Sequence, residues 1–223
     1  MRVFALILFL LILDAAGAQY YFPPRDSSWA SLSTDSLAWP DAALNELYDY
    51  LDTKHSKAFI ILKDGKIVLE WYFDDFSRTT SWYWASAGKT LTAFLVGLAQ
   101  QDGRLDINDP ASDYLGEGWT NCPAQLESLV TVRHQLTMTT GLDDRVGDRD
   151  CTNPECLDCL AEPGTRWAYH NAPYTLLGEV LEAATGINKN RFTHDRLKQP
   201  TGMDGTWVQL GYNSVYFSTA RSM

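Results

Sequence analysis

Ser86 and Lys89 stand three residues apart in the stretch Trp84-Ala85-Ser86-Ala87-Gly88-Lys89. Downstream, Leu91, Phe94, Leu95 and Leu98 fall at helical spacing and make one apolar stripe. The pattern predicts a helix with Ser86 in its first turn. Residues three apart on a helix share a face, so an amine at 89 can reach a hydroxyl at 86 and take its proton. A helix N-terminus carries partial positive charge, which with apolar neighbours favours the neutral amine that a base needs. The chemistry is that of a serine nucleophile activated by a lysine. Alone, the same residues fit a helix cap and a solvated lysine equally well.

A second candidate is Tyr169-His170-Asn171. In extended chain, alternate side chains share a side, so Tyr169 and Asn171 point one way and His170 the other. A phenol held near a lysine can pass a proton to a leaving group. An amide both donates and accepts, and so can orient a carbonyl substrate. The plainer alternative packs Tyr169 in the core; Asn171 is expected to cap the next helix in either case, which is compatible with contacting a substrate. His134 and His170 are read as structural.

Several elements must position these groups. Pro40 suits a helix start, and Leu44, Leu47, Tyr48 and Leu51 give residues 41–52 an apolar stripe. Residues 58–63 and 66–73 read as strands joined by Asp64-Gly65, a left-handed hairpin turn. Their near-continuous apolar runs predict strands covered on both faces. Residues 74–83 form a loop into the Ser86 helix, which should stop at Asp102-Gly103. Residues 105–110 are turn-rich, 131–138 form a short helix capped by Thr131, and Pro163-Gly164 is a turn. Residues 172–185 form a helix with Leu176, Leu177, Val180, Leu181 and Ala184 on one face, ending at Gly186.

The 223 residues are 45% hydrophobic and 21% charged, with a net charge of −10 and no Lys/Arg-rich run. A globular protein follows, and nucleic acid is excluded as a natural partner because phosphate binding needs a basic surface. Residues 1–18 read as a secretory signal: Arg2, an apolar run from Val3 to Leu13, and a small-residue site at Ala16-Gly17-Ala18. Eleven apolar residues are too few to span a bilayer, so no membrane span is expected after cleavage. The chain is therefore read as secreted or periplasmic. Residues 19–40 are an extended lead-in, and 41–223 the domain. An exported chain with Cys122, Cys151, Cys156 and Cys159 points to disulfides, with three connectivities open and Cys151–Cys156 the first choice. A zinc module on these cysteines is the weaker alternative, and no cofactor or metal is expected.

The serine-to-lysine stretch followed about eighty residues later by Tyr169-His170-Asn171 resembles the serine β-lactamase and penicillin-binding-protein superfamily. The branch it is most similar to holds class C β-lactamases, D-alanyl-D-alanine carboxypeptidases and related esterases. Supporting stretches are Gly103 to Pro110, Thr131 to Leu142 with its Thr-Gly-Leu, and Pro163 to Trp167. The resemblance runs from about Ala43 to Met223. It implies an α/β (α+β) fold, an antiparallel sheet plus a helical region. It implies Ser86 as acylated nucleophile, Lys89 as general base, Tyr169 as proton shuttle and Asn171 as the group that contacts substrate. The Ser86 N–H would be half of an oxyanion hole. The substrate would be a small-molecule ester or amide: an ester, a β-lactam or a D-amino-acid peptide, including one derived from peptidoglycan. The alternative from another class is a non-catalytic cell-wall-binding relative.

The resemblance also sets an expectation of loss. The family's third motif, Lys/His-x-Gly on a strand after the tyrosine, has no counterpart after Tyr169, and Lys63-Asp64-Gly65 is a hairpin turn upstream. Residues 217–223 resemble the start of a family helix. The chain is thus expected to be truncated, to lack C-terminal strands, to expose an apolar edge on the 58–73 hairpin, and to turn over esters poorly.

Overall fold

The computed structural model describes residues 21–25 and 28–223; the expected signal, 1–18, lies outside them. Its first sheet forms where the Asp-Gly pair permits a tight reversal. Asp64 and Gly65 both take positive φ, 51° and 77°. A side chain at Gly65 would overlap the Tyr21 carbonyl, so glycine is required there twice over. The turn joins β1 (Ala58–Lys63) to β2 (Lys66–Tyr72), antiparallel with Lys63 opposite Lys66. α1 (Asp41–Thr53) lies against this hairpin, with the Tyr48 ring 5.4 Å from Trp71 and 5.0 Å from Phe73.

The expectation of strands covered on both faces holds only in part. Ile67, Val68 and Leu69 of β2 are buried, but β1 is half-buried and Leu62 is 48% exposed. Among the described residues β1 pairs with β2 alone, so its other edge has no strand partner. Glu70 of β2 is gripped by Arg221, with Nε and Nη2 each 2.6 Å from one carboxylate oxygen. That fork ties the hairpin to the C-terminal part of the chain.

A second sheet has the order β3-β5-β4, from β3 (Trp82–Tyr83), β4 (Thr206–Leu210) and β5 (Asn213–Ser218). Gly211 and Tyr212 make the two-residue reversal between β4 and β5, with Gly211 at φ 61°. The expected helix start at 217–223 is corrected here. Phe217 and Ser218 pair with Tyr83 and Trp82, and only Ala220–Ser222 turns as a 3-10 helix. The Trp84 N–H also bonds the Tyr216 carbonyl, so the strand that leads into Ser86 holds β5 extended.

The remaining helices in chain order are α2 (Gly88–Gln101), α3 (Ser112–Leu115), α4 (Ala124–Glu127), α5 (Val132–Leu136), α6 (Asn171–Thr175), α7 (Leu177–Thr185), α8 (Lys189–Thr193) and α9 (Gln199–Thr201). Leu91, Leu95, Val96 and Ala99 of α2 pack against Leu177, Val180 and Leu181 of α7, with Trp84, Trp207 and Tyr216 closing the core. Thr131 caps α5 as expected, and His134 completes the box by accepting the Thr131 N–H at Nδ1. The expected helix 172–185 is two helices, broken at Leu176. The carbonyl of Pro173 accepts the buried Gln135 Nε2 at 3.0 Å where the helical ladder is interrupted. Gly186 closes α7 at φ 70°.

All four cysteines are in disulfides, Cys122–Cys159 and Cys151–Cys156, which leaves no thiol for zinc. The first staples a second core of Trp119, Val130, Leu142 and Leu157.

Candidate active site

Ser86 lies in a 3-10 turn, Ala85–Ala87, that runs directly into α2 at Gly88. The expected first helical turn is therefore tighter than an α-helix, and Ala85 before the serine sits at φ 46°. Positive φ costs a residue with a Cβ about 1 kcal/mol or more. It is held there from both sides: Trp84 is buried against Tyr216, with its indole N–H 2.7 Å from Ser218 Oγ, and Gly88 is buried against Trp207. The turn thus presents Ser86 outward while its flanks are locked in the core.

Lys89 Nζ lies 3.5 Å from Ser86 Oγ. The Tyr169 hydroxyl donates to the same oxygen at 2.8 Å, across 83 residues of chain. Lys89 Nζ is also 5.1 Å from the Tyr169 ring centre and 5.7 Å from that of Tyr174. The Tyr174 hydroxyl bonds the Lys89 carbonyl at 2.8 Å, so α6 grips the backbone of α2 at the lysine itself. Partial burial alone would raise the Tyr169 phenol; the hydrogen bond to Ser86 and the nearby Lys89 amine outweigh it and bring the group below the ordinary tyrosine value. Hydroxyl, amine and phenol meet at one point.

Residues 165–170 are irregular chain, and the alternation expected for them is present. Tyr169 is exposed at Ser86, and His170 is buried on the other side. Neither His170 ring nitrogen has a partner among the described residues, and burial lowers its pKa. Asn171 faces a cavity of about 220 Å³ that Ser86 and Lys89 also line. It does not cap α6. His170 is the cap residue, and the N–H of the second helical residue, Ala172, is taken by the Arg149 carbonyl. Asn171 Nδ2 donates instead to Asp150 Oδ1 at 2.7 Å, which leaves its Oδ1 buried and unpartnered.

Asp150 was missed by sequence reasoning. It precedes Cys151, whose disulfide to Cys156 closes a loop, and this adjacency was the one available signal. Tyr174, Lys189 and Asn213 on the cavity wall were missed as well. Nothing in their spacing marks them, because the fold brings them together from α6, α8 and β5.

The beta-lactamase family model matches residues 46–216. Penicillin-binding protein 4* of Bacillus subtilis is 29% identical over 56% of this chain and 30% of its own. Protein flp of Staphylococcus aureus is 25% identical over 71% of this chain and 36% of its own. The chain thus spans about a third of the length of these curated relatives. The octameric penicillin-binding protein homologue from Pyrococcus abyssi has the same fold, with a TM-score of 0.66 at 16% identity over 82% of this chain and 55% of that one.

Proposed function

The chain belongs to the beta-lactamase family, and on that premise we propose that it is a secreted serine hydrolase working through an acyl-enzyme. The observation that carries this is the convergence of Lys89 and Tyr169 on Ser86 Oγ, at 3.5 and 2.8 Å. In this reading the pair takes the Ser86 proton as Oγ attacks the carbonyl carbon of an ester or amide. The resulting oxyanion is met by the Ser86 N–H, which at the start of a short helical turn has no partner within that turn. Tyr169 then gives a proton to the departing alcohol or amine. Water attacks the acyl-serine by the reverse path, so Ser86 is regenerated and the acid released. The distance to Lys89 is long for a hydrogen bond, as is common before substrate binds. Asn171, its Nδ2 fixed by Asp150, lines the same cavity and is the group proposed to contact the substrate.

Esters, β-lactams and D-amino-acid peptides all pass through this intermediate, and small acyl donors are the substrate class proposed. Two disulfides support a compartment outside the cytosol, and no described helix is long and apolar enough to cross a membrane. The test is covalent labelling with a fluorophosphonate and a fluorescent penicillin, read by intact mass. Labelling of wild type at Ser86, absent from Ser86→Ala and sharply slowed in Lys89→Met, is the expected result. Labelling that persists in Ser86→Ala, or none in folded wild type, overturns the proposal.

A further inference from the structure

Lys189 opens α8 and is 7% exposed, yet no carboxylate pairs with it among the described residues. Glu182, the acidic residue whose charge bears on it, is spent elsewhere: its Oε1 accepts the Lys189 backbone N–H at 2.7 Å and Asn188 Nδ2 at 3.1 Å. The ammonium rests on the face of Trp207, 3.4 Å from the ring centre. A buried cation with only a ring for company is costly, and burial draws this group down to about 8.

The surroundings are built to keep it there. Trp207 Nε1 bonds Thr193 Oγ1 at 3.0 Å, and Asn190 clasps the Trp207 backbone through both its amide atoms, at 2.8 and 2.9 Å. The same ring also lies against Gly88, two residues from Ser86. Lys189 and Ser86 therefore line one cavity, with Asn171 on its wall as well.

We infer that Lys189 is a specificity residue: it receives a carboxylate borne on the acyl part of the substrate, so that this hydrolase prefers acyl groups ending in an anion. The acyl part is the one assigned because it stays bonded to Ser86 in the cavity while the leaving group departs. A carboxylate there meets a desolvated ammonium, and charge-assisted bonds in such surroundings are roughly twice as strong as neutral ones. This rests on the hydrolase reading above for its catalytic half alone.

The test compares 4-nitrophenyl monoesters of glutaric, adipic and pimelic acid with 4-nitrophenyl pentanoate, hexanoate and heptanoate, each corrected for spontaneous hydrolysis. Wild type should favour at least one anionic ester over its neutral counterpart by about tenfold or more in kcat/KM. Lys189→Met should reduce that ratio to about one or less. A ratio near one in wild type overturns the inference, as does a Lys189→Met variant that melts lower but keeps the wild-type ratio. Should that variant not fold, the wild-type ratio decides. Calorimetric titration of free adipate into Ser86→Ala separates the two claims. Saturable adipate binding with no ester turnover in wild type upholds the carboxylate site and sinks the hydrolase; turnover of neutral and anionic esters alike, without adipate binding, does the opposite.

Discussion

Replacing Tyr169 by Phe removes one oxygen and separates two roles for this residue. The ring is 41% exposed, and its hydroxyl makes a 2.8 Å bond to Ser86. If the hydroxyl only packs or pins the loop, the loss is one exposed hydrogen bond, worth about 1 kcal/mol or less. For a chain of this size that is a fall of under about 4 °C in Tm. If it moves the serine proton, the loss is a general acid–base step, about 10²–10⁴ in rate, or about 3–5 kcal/mol of barrier. The two effects differ enough to be read in one experiment. Fluorophosphonate labelling of Ser86 should slow by at least about a hundredfold in Tyr169→Phe while Tm barely moves. The wild-type labelling rate should also rise with pH and level off below 10, because the phenol is lowered from its ordinary value and its deprotonated form accepts the proton. That limb should vanish in Tyr169→Phe. Labelling within threefold of wild type, with the pH limb intact, would refute the catalytic assignment.

Two further outcomes follow from the fold. His170 is buried and its pKa lies below the ordinary value, so the unfolded chain binds the extra proton first. Its contribution is intact above about pH 6.5 and is lost as pH falls, so Tm should drop from pH 7 to 5 more steeply in wild type than in His170→Gln; parallel profiles would show that His170 is not the group responsible. Loop-closure entropy makes Cys122–Cys159, which spans 37 residues, worth about 4 kcal/mol and Cys151–Cys156, which spans 5, about 2 kcal/mol. Urea denaturation of the two double-serine variants should rank them in that order, and the reverse order would discount the entropic account.

The parts of the molecule that were legible in sequence are those fixed by local chemistry. Asp64-Gly65 dictates a reversal wherever it sits between apolar runs, and Thr131 satisfies its helix end within three residues. The serine, lysine and tyrosine were legible through resemblance and residue type, and the fold brings those three side chains together. What was not legible depends on distant partners. The break at Leu176 reflects a glutamine 38 residues away that takes the Pro173 carbonyl. Asn171 looks like a cap until the Arg149 carbonyl is seen to fill that place. The β4–β5 hairpin did carry a signal, Gly211-Tyr212 between Trp207-Val208 and Val215-Tyr216. Likeness of 217–223 to a helix start obscured it, and pairing with β3 decided the matter. Half-burial of β1 could not be read from its residues, because apolar content records what a strand is suited to, not what lies beside it.

The Asp150 tether on Asn171 ends in a loop closed by Cys151–Cys156, whereas the contacts of Lys89 and Tyr169 with Ser86 Oγ are direct. Protein matured among reducing thiols would keep its reactive hydroxyl but slacken its grip on the amide that judges what is admitted. For the proposed hydrolase, the electron balance of the surroundings would then bear on how Asn171 is held more than on the serine itself.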